Sequence, residues 1–373
     1  MYRPSLKSGW SLIILMVVAV GLFVLAQLSY VTIKTENYET KVASAKLMQA
    51  FMDTIRTEIL HSGIQIDPID DPLLTGLIGT RISSITTDRG LLSEKQAALN
   101  PNLAAVFVEE FDKLKLEPGD YVAVGLTGSN PAVNLALYAA MQTMKLKPVI
   151  ITSLSSASYG ANKEQLTWLD MESMLYRSKM INFKSSYASL GGAEDLAIGL
   201  TDNGIKMLQE AMHRNIVPRI IGADLQENIE IRQSAYQDQL PQETRYKAFI
   251  NIGAGLANVG SEPIAKVIPE GINRKLAERE YEKEGMIILM SKKNVPVLNF
   301  RRVLRWTKKY DLPSQLLEKP IAGEGTVFST KVHNIMISSI CLFLLVVAIV
   351  LVIVFDRHDR RFMANIVDPD EEL

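Results

Sequence analysis

The chain has 373 residues, with 40 Lys and Arg against 41 Asp and Glu and a formal net charge of −1. It therefore lacks the concentrated positive charge of nucleic-acid binders, and its single cysteine, Cys341, excludes an intramolecular disulfide and a multi-cysteine metal site. The length suits one large domain or two smaller ones, each with a substantial core.

The first predicted element is an apolar run from Ser11 to Leu28 without a formal charge. As a helix it extends about 27 Å at ~1.5 Å per residue, enough to cross a hydrocarbon core. Trp10 and Tyr30 bracket it where interfacial aromatics belong. A cleaved signal peptide is the competing reading, with Val24-Leu25-Ala26 as a tolerable cleavage pattern. Residues 38–61 read as a helix, with Val42, Ala45, Met48, Met52, Ile55 and Ile59 at helical spacing. This segment is expected to continue from the first span as a stalk. Ile64 to Pro72, with two prolines and three aspartates, reads as a loop.

The clearest pattern lies beyond it. Tyr121 to Leu126 reads as a strand, Gly128-Ser129-Asn130-Pro131 as a polar turn, Ala132 to Met144 as a helix, and Val149 to Thr152 as a second strand. Strand, turn, helix and strand make a βαβ unit with a parallel pair. Its proline-led ending recurs at Asn215-Ile-Val-Pro218 and at Asn294-Val-Pro296, where Met286 to Met290 reads as strand-like. A second echo runs from the strand Ala248–Ile252 through a glycine-rich turn to Gly260-Ser261-Glu262-Pro263. Both echoes place a proline at the first helical position, with Asn130 as a good cap and Ser261 one residue early. The run Arg301 to Lys309, read as one helix, puts Arg301, Arg305 and Lys308 on one face. Ile335 to Phe355 is a second uncharged span, and residues 356–373 form a charged tail.

Orientation follows from flanking cations. Arg3 and Lys7 precede the first span, and Arg357, Arg360 and Arg361 follow the second. Residues 1–10 and 356–373 are thus expected in the cytoplasm, and residues 31–334 outside it, despite Lys34, Lys41 and Lys331. The expected fold is an extracytoplasmic α/β domain with a mainly parallel sheet, flanked by two transmembrane helices.

In parallel sheets ligands bind beyond the carboxyl ends of the strands, where helix starts also favour anions. The turns holding Gly128, Ser129 and Asn130, and Gly253, Gly255 and Ser261, are accordingly candidate anion contacts in one shared cleft. Arg301, Arg305 and Lys308 are a candidate contact for an anionic polymer or lipid, against the plainer reading of a solvated face. No catalytic set is complete. Thr127 and Pro131 stand where a nucleophile elbow needs glycines, and Asn258 stands where a dinucleotide loop needs its third glycine. Glu58 with His61, and Glu210 with His213, share a helical face but lack further ligands. No metal site and no cofactor is therefore expected. Asp195, Asp202, Asp224 and Glu227 sit around loops as candidate acids or bases, against the plainer reading of solvated carboxylates.

The strings DPLLTGLIGTRISSITTDRG, DYVAVGLTGSNPAVNLALYAAM, KPVIITSLSSASYGAN and TWLDMES resemble the poly-γ-glutamate system protein family, as do AIGLTDNG and INIGAGLANVGS. The resemblance spans nearly the whole chain, terminal spans included. It implies a place in a bacterial poly-γ-glutamate system beside an ATP-dependent ligase and a small membrane subunit, and it supplies no residue roles. Two functions then stand against each other: a non-catalytic accessory subunit that holds or guides the polymer, and an extracytoplasmic hydrolase or transferase that trims or attaches it. A sensor of a small anion is a third.

Overall fold

The structure, a computed structural model, describes residues 9–316 and 318–364, with side chains through Phe355. Arg3 and Lys7 lie outside the described residues, as do the side chains of Arg357, Arg360 and Arg361. The chain divides into two compact units.

The first unit combines α1 (Gly9–Leu28) and β1 (Tyr30–Lys34) with β8 (Ser329–His333) and α13 (Ile335–Ala364). Two of its helical segments, Gly9–Leu28 and Ile335–Phe355, are long and apolar enough to cross a membrane. The strands, which the sequence reading missed, pair antiparallel from Tyr30↔His333 to Lys34↔Ser329. The Tyr30 ring stacks on His333 with centroids 4.7 Å apart.

The second unit, Glu36–Phe328, is mixed α/β. It holds α2 (Tyr38–His61), α3 (Leu92–Ala98), α4 (Leu103–Leu114), β2 (Tyr121–Thr127), α5 (Pro131–Thr143), β3 (Lys147–Ser153), α6 (Trp168–Arg177) and β4 (Tyr187–Ser189). Next come α7 (Asp202–Arg214), α8 (Leu225–Asp238), β5 (Ala248–Ile252), α9 (Leu256–Val259), α10 (Glu262–Val267), β6 (Gly271–Asn273), α11 (Met286–Lys292), β7 (Val297–Phe300) and α12 (Val303–Lys309). The predicted βαβ unit is present, and β2 pairs parallel with β3 from Tyr121↔Lys147 to Thr127↔Ser153.

These strands form a six-stranded sheet in the order β6-β7-β5-β2-β3-β4, parallel throughout except for the antiparallel edge β6. The chain starts in the middle at β2, grows through β3 to β4, and then crosses to the other side of β2 with β5 and β7. The direction of growth reverses between β2 and β5, so a crevice opens there beyond the carboxyl ends. Helices cover both faces. Val122, Val124 and Leu126 join a core with α2, α4 and α5, while Ala123 joins a second core with α8 to α11. Burial on both faces explains why these strands read as continuous apolar runs.

Two expectations need correction. Helix α2 has the predicted bounds, but it is no stalk continuing α1. Strand β1 intervenes, and Ala45, Met48, Phe51, Met52, Ile55 and Ile59 are buried in the first core. The strand-like Met286–Met290 is helical: α11 buries Met286, Ile287, Ile288 and Met290 against the second core. An apolar run this short has no periodicity to separate a strand from a buried helix.

Candidate functional site

The two predicted turns meet at the reversal point. Strand β2 ends at Thr127, in register with Ser153 at the end of β3. Gly253 follows β5 at φ +89°, and a Cβ there would lie 2.7 Å from Thr127 Oγ1. At Gly255 a Cβ would lie 3.1 Å from Thr127 Cγ2 and 3.3 Å from Ser153 Oγ. Glycine is thus required at position 253, where φ is positive, and position 255 leaves little room for a side chain, so the second turn closes tightly over the end of β2. Two strand residues before Thr127, a Cβ on Gly125 would lie 2.3 Å from Asn258 Nδ2, so α9 also rests directly on β2.

Beyond these strand ends lies an open cavity of about 390 Å³. Its hydroxyls come from Thr87, Thr127, Ser129, Ser153 and Ser155, and its charges from Asp88, Glu262, Lys266 and Arg301. Gly255 lines it as well. Of the predicted residues, then, Ser129, Gly255 and Arg301 share one cavity. Gly128 is packed behind them, since a Cβ there would lie 2.5 Å from the Leu154 carbonyl oxygen. Among the described residues no histidine or cysteine lines the cavity.

The predicted caps are only partly realised. Asn130 is the N-cap of α5 with Pro131 at the first helical position, but its side chain makes no capping bond and its Oδ1 is buried without a partner. The glycine-rich stretch is not one turn, because the four-residue α9 is inserted in it. Ser261 caps α10, its hydroxyl accepting from Ile264 N at 3.3 Å, and Pro263 falls at the second helical position. Ser261 is thereby spent on the fold and does not line the cavity.

The basic run also separates. Helix α12 begins at Val303, so Arg301 precedes it and does not share a face with Arg305 and Lys308. Arg301 is half-buried and donates to the Ala265 carbonyl. Arg302 and Arg305 both approach Glu270, at 2.5 and 3.6 Å, and Lys308 is exposed.

Sequence reasoning missed what lies behind the cavity wall. Asp195, read as solvated, is buried in a pair with Arg232 of α8 at 3.0 Å. Ser153 and Ser189 donate to Asp195 Oδ1 at 3.0 and 2.8 Å, and Arg232 Nη2 donates to both hydroxyls at 2.9 and 2.5 Å. Removing one partner of such a buried pair costs about 3–5 kcal/mol. Asp224 and Glu227 are also engaged: Asp224 caps α8 by accepting from Glu227 N at 2.9 Å, and Glu227 accepts from Ala223 N at 2.6 Å. Lys95 of α3, 7% exposed, donates to the Ser129 carbonyl. Burial pushes its pKa down from the ordinary 10.5 to about 8, against the pull of Glu94 and Asp88. The serine-rich run Leu154-Ser155-Ser156 after a strand was the available signal for the hydroxyl wall. The Asp195–Arg232 pair is 37 residues apart and left no local signal.

The site thus offers a hydroxyl-lined crevice with two cations and two carboxylates, suited to holding a polar, charged ligand. No protein-family model, curated protein or solved structure matches the chain.

Proposed function

We propose that this chain is a non-catalytic accessory membrane subunit of a bacterial poly-γ-glutamate system, which holds or guides the anionic polymer in the crevice between β2 and β5. In this reading α1 and α13 cross the cytoplasmic membrane, both termini are cytoplasmic, and the Glu36–Phe328 domain lies outside. Its partners are the ligase, the small membrane subunit and the polymer. The observation that carries the reading is the crevice itself: hydroxyls from two strand ends and the loop after β3, with Lys266 and Arg301 on its wall. Those hydroxyls and cations are donors suited to the free carboxylates of such a polymer. Ser129 has no histidine beside it in that lining to serve as a base, which favours holding over cleavage.

The test is binding of poly-γ-glutamate to the full chain in detergent micelles across a salt series. Lys266→Gln and Arg301→Gln should each weaken binding several-fold and flatten the salt dependence, because exposed charges are screened beyond ~8 Å at physiological ionic strength. Arg305→Gln should leave binding unchanged, since Arg305 faces Glu270. Absence of binding at low salt refutes the polymer-holding role.

A further inference from the structure

Arg232 is fully buried, yet only one of its three guanidinium nitrogens is used. Nη2 donates to Ser153 Oγ, Ser189 Oγ and Asp195, the last at 3.2 Å to Oδ1 and 3.0 Å to Oδ2. Nη1 and Nε have no partner. A guanidinium carries five N–H donors in a fork that matches a carboxylate two bonds at a time. Here Asp195 meets it end-on, through a single nitrogen. Burying the remaining charged donors unpaired is expensive.

The segment that delivers Asp195 is itself held in an unfavourable backbone. Glu194, Asp195 and Ala197 all have φ between +53° and +59°, next to Gly191 at +78° and Gly192 at +69°. Three non-glycine residues in the left-handed region within four positions store strain that only the surrounding contacts hold in place. This segment is also the cavity wall, since Gly192 and Ala193 line the cavity, as does Ser153. The carboxylate shell of Ser153, Ser189 and Arg232 thus stands directly behind the crevice, and a strained loop fills it.

We infer that this shell is a carboxylate-binding subsite of the crevice, and that Asp195 occupies it as an internal stand-in which a ligand carboxylate displaces. The ligand class is a carboxylate small enough to pass Ser153, either free or as the side group of a chain lying in the cavity. The inference rests on the proposed function only in taking the crevice as the place where a ligand enters. No bond is made or broken, and the exchange trades one buried ion pair for another. The liganded form releases the loop from its left-handed conformation, which offsets part of the cost of displacing Asp195.

The experiment uses the full chain in detergent micelles with Asp195→Gly, which removes the stand-in and suits a positive φ, and with Asp195→Asn as a second variant in case the first does not fold. Thermal unfolding is followed with sodium formate, sodium acetate and sodium chloride at equal ionic strength. Formate and acetate should raise the Tm of Asp195→Gly by several degrees over chloride, with no such difference in the wild type. Adding Arg232→Met to the variant should abolish the rescue. A short γ-linked glutamate oligomer should bind Asp195→Gly at least tenfold more tightly than the wild type. Equal Tm values in formate and chloride for both Asp195 variants overturn the inference, even if the polymer binds. Formate rescue without oligomer binding upholds the subsite and removes the polymer as its ligand.

Discussion

Lys95→Met is the substitution whose effect the structure specifies most closely. The amine is 7% exposed, donates to the Ser129 carbonyl, and has its pKa lowered by burial from 10.5 to about 8. Between those two pH values the unfolded chain binds a proton that the folded chain does not, so wild-type stability rises with pH across the window. The gap, at ~1.36 kcal/mol per pH unit, amounts to roughly 3 kcal/mol. Methionine fills a similar volume without a charge to desolvate. It also loses the hydrogen bond, worth about 1.5–3 kcal/mol for a charged donor, so the two effects largely offset one another at pH 7. The variant should therefore match the wild type near pH 7 to within about 2 kcal/mol, and fall behind it by roughly 3 kcal/mol more by pH 10.5. Urea unfolding at pH 7, 8, 9 and 10, read by the fluorescence of the buried Trp168 and Trp306, measures the difference. Every other titrating group is common to both proteins and cancels. A wild-type-minus-variant difference that stays flat across the series would refute the assignment of the shift to burial at this site.

Two further outcomes follow from the packing and the topology. Gly125→Ala places a methyl 2.3 Å from Asn258 Nδ2 and 2.7 Å from its Oδ1, so the buried Asn258 amide must turn aside or α9 must lift from β2. A loss of about 1–3 kcal/mol in urea unfolding is expected, and a change below ~0.5 kcal/mol, the range of ordinary surface substitutions, would mean the contact yields freely. A phosphatase that works only after export, fused at Asn203, should be active. Activity from a cytoplasmic reporter alone at that position refutes the proposed orientation.

The parts of the fold legible in the sequence are those with a long or repeated signal. Helix α2 has the predicted bounds because its apolar residues recur over 24 positions. The βαβ unit was marked by glycine, proline and strand runs in one short stretch. The crevice was partly legible, since Ser129 and Gly255 flank strand ends. Its deeper half was not: Arg232 is an ordinary helical arginine until the fold brings Ser153, Ser189 and Asp195 around it. Arg301 lines the cavity, but not beside Arg305 and Lys308, because a basic run does not reveal where its helix starts. Strands β1 and β8 are each five residues long, and their pairing partners are separated by the entire domain. No local pattern could have announced them.

That ribbon has a mechanical consequence. Lys34 pairs with Ser329 at one end and Tyr30 with His333 at the other, while Tyr38 and Phe328 touch edge-on at the next step of the chain, 6.3 Å between centroids. Residues 36–328 are thus an insert in a helical hairpin, leaving and rejoining it at adjacent points. A force pulling the insert away from the two helices loads both strands from the same end and in the same direction. Neither strand is then driven to slide past the other, and no cross-strand pair is peeled open. The tether carries tension through two covalent legs side by side, and its hydrogen bonds keep the legs in register without bearing the load.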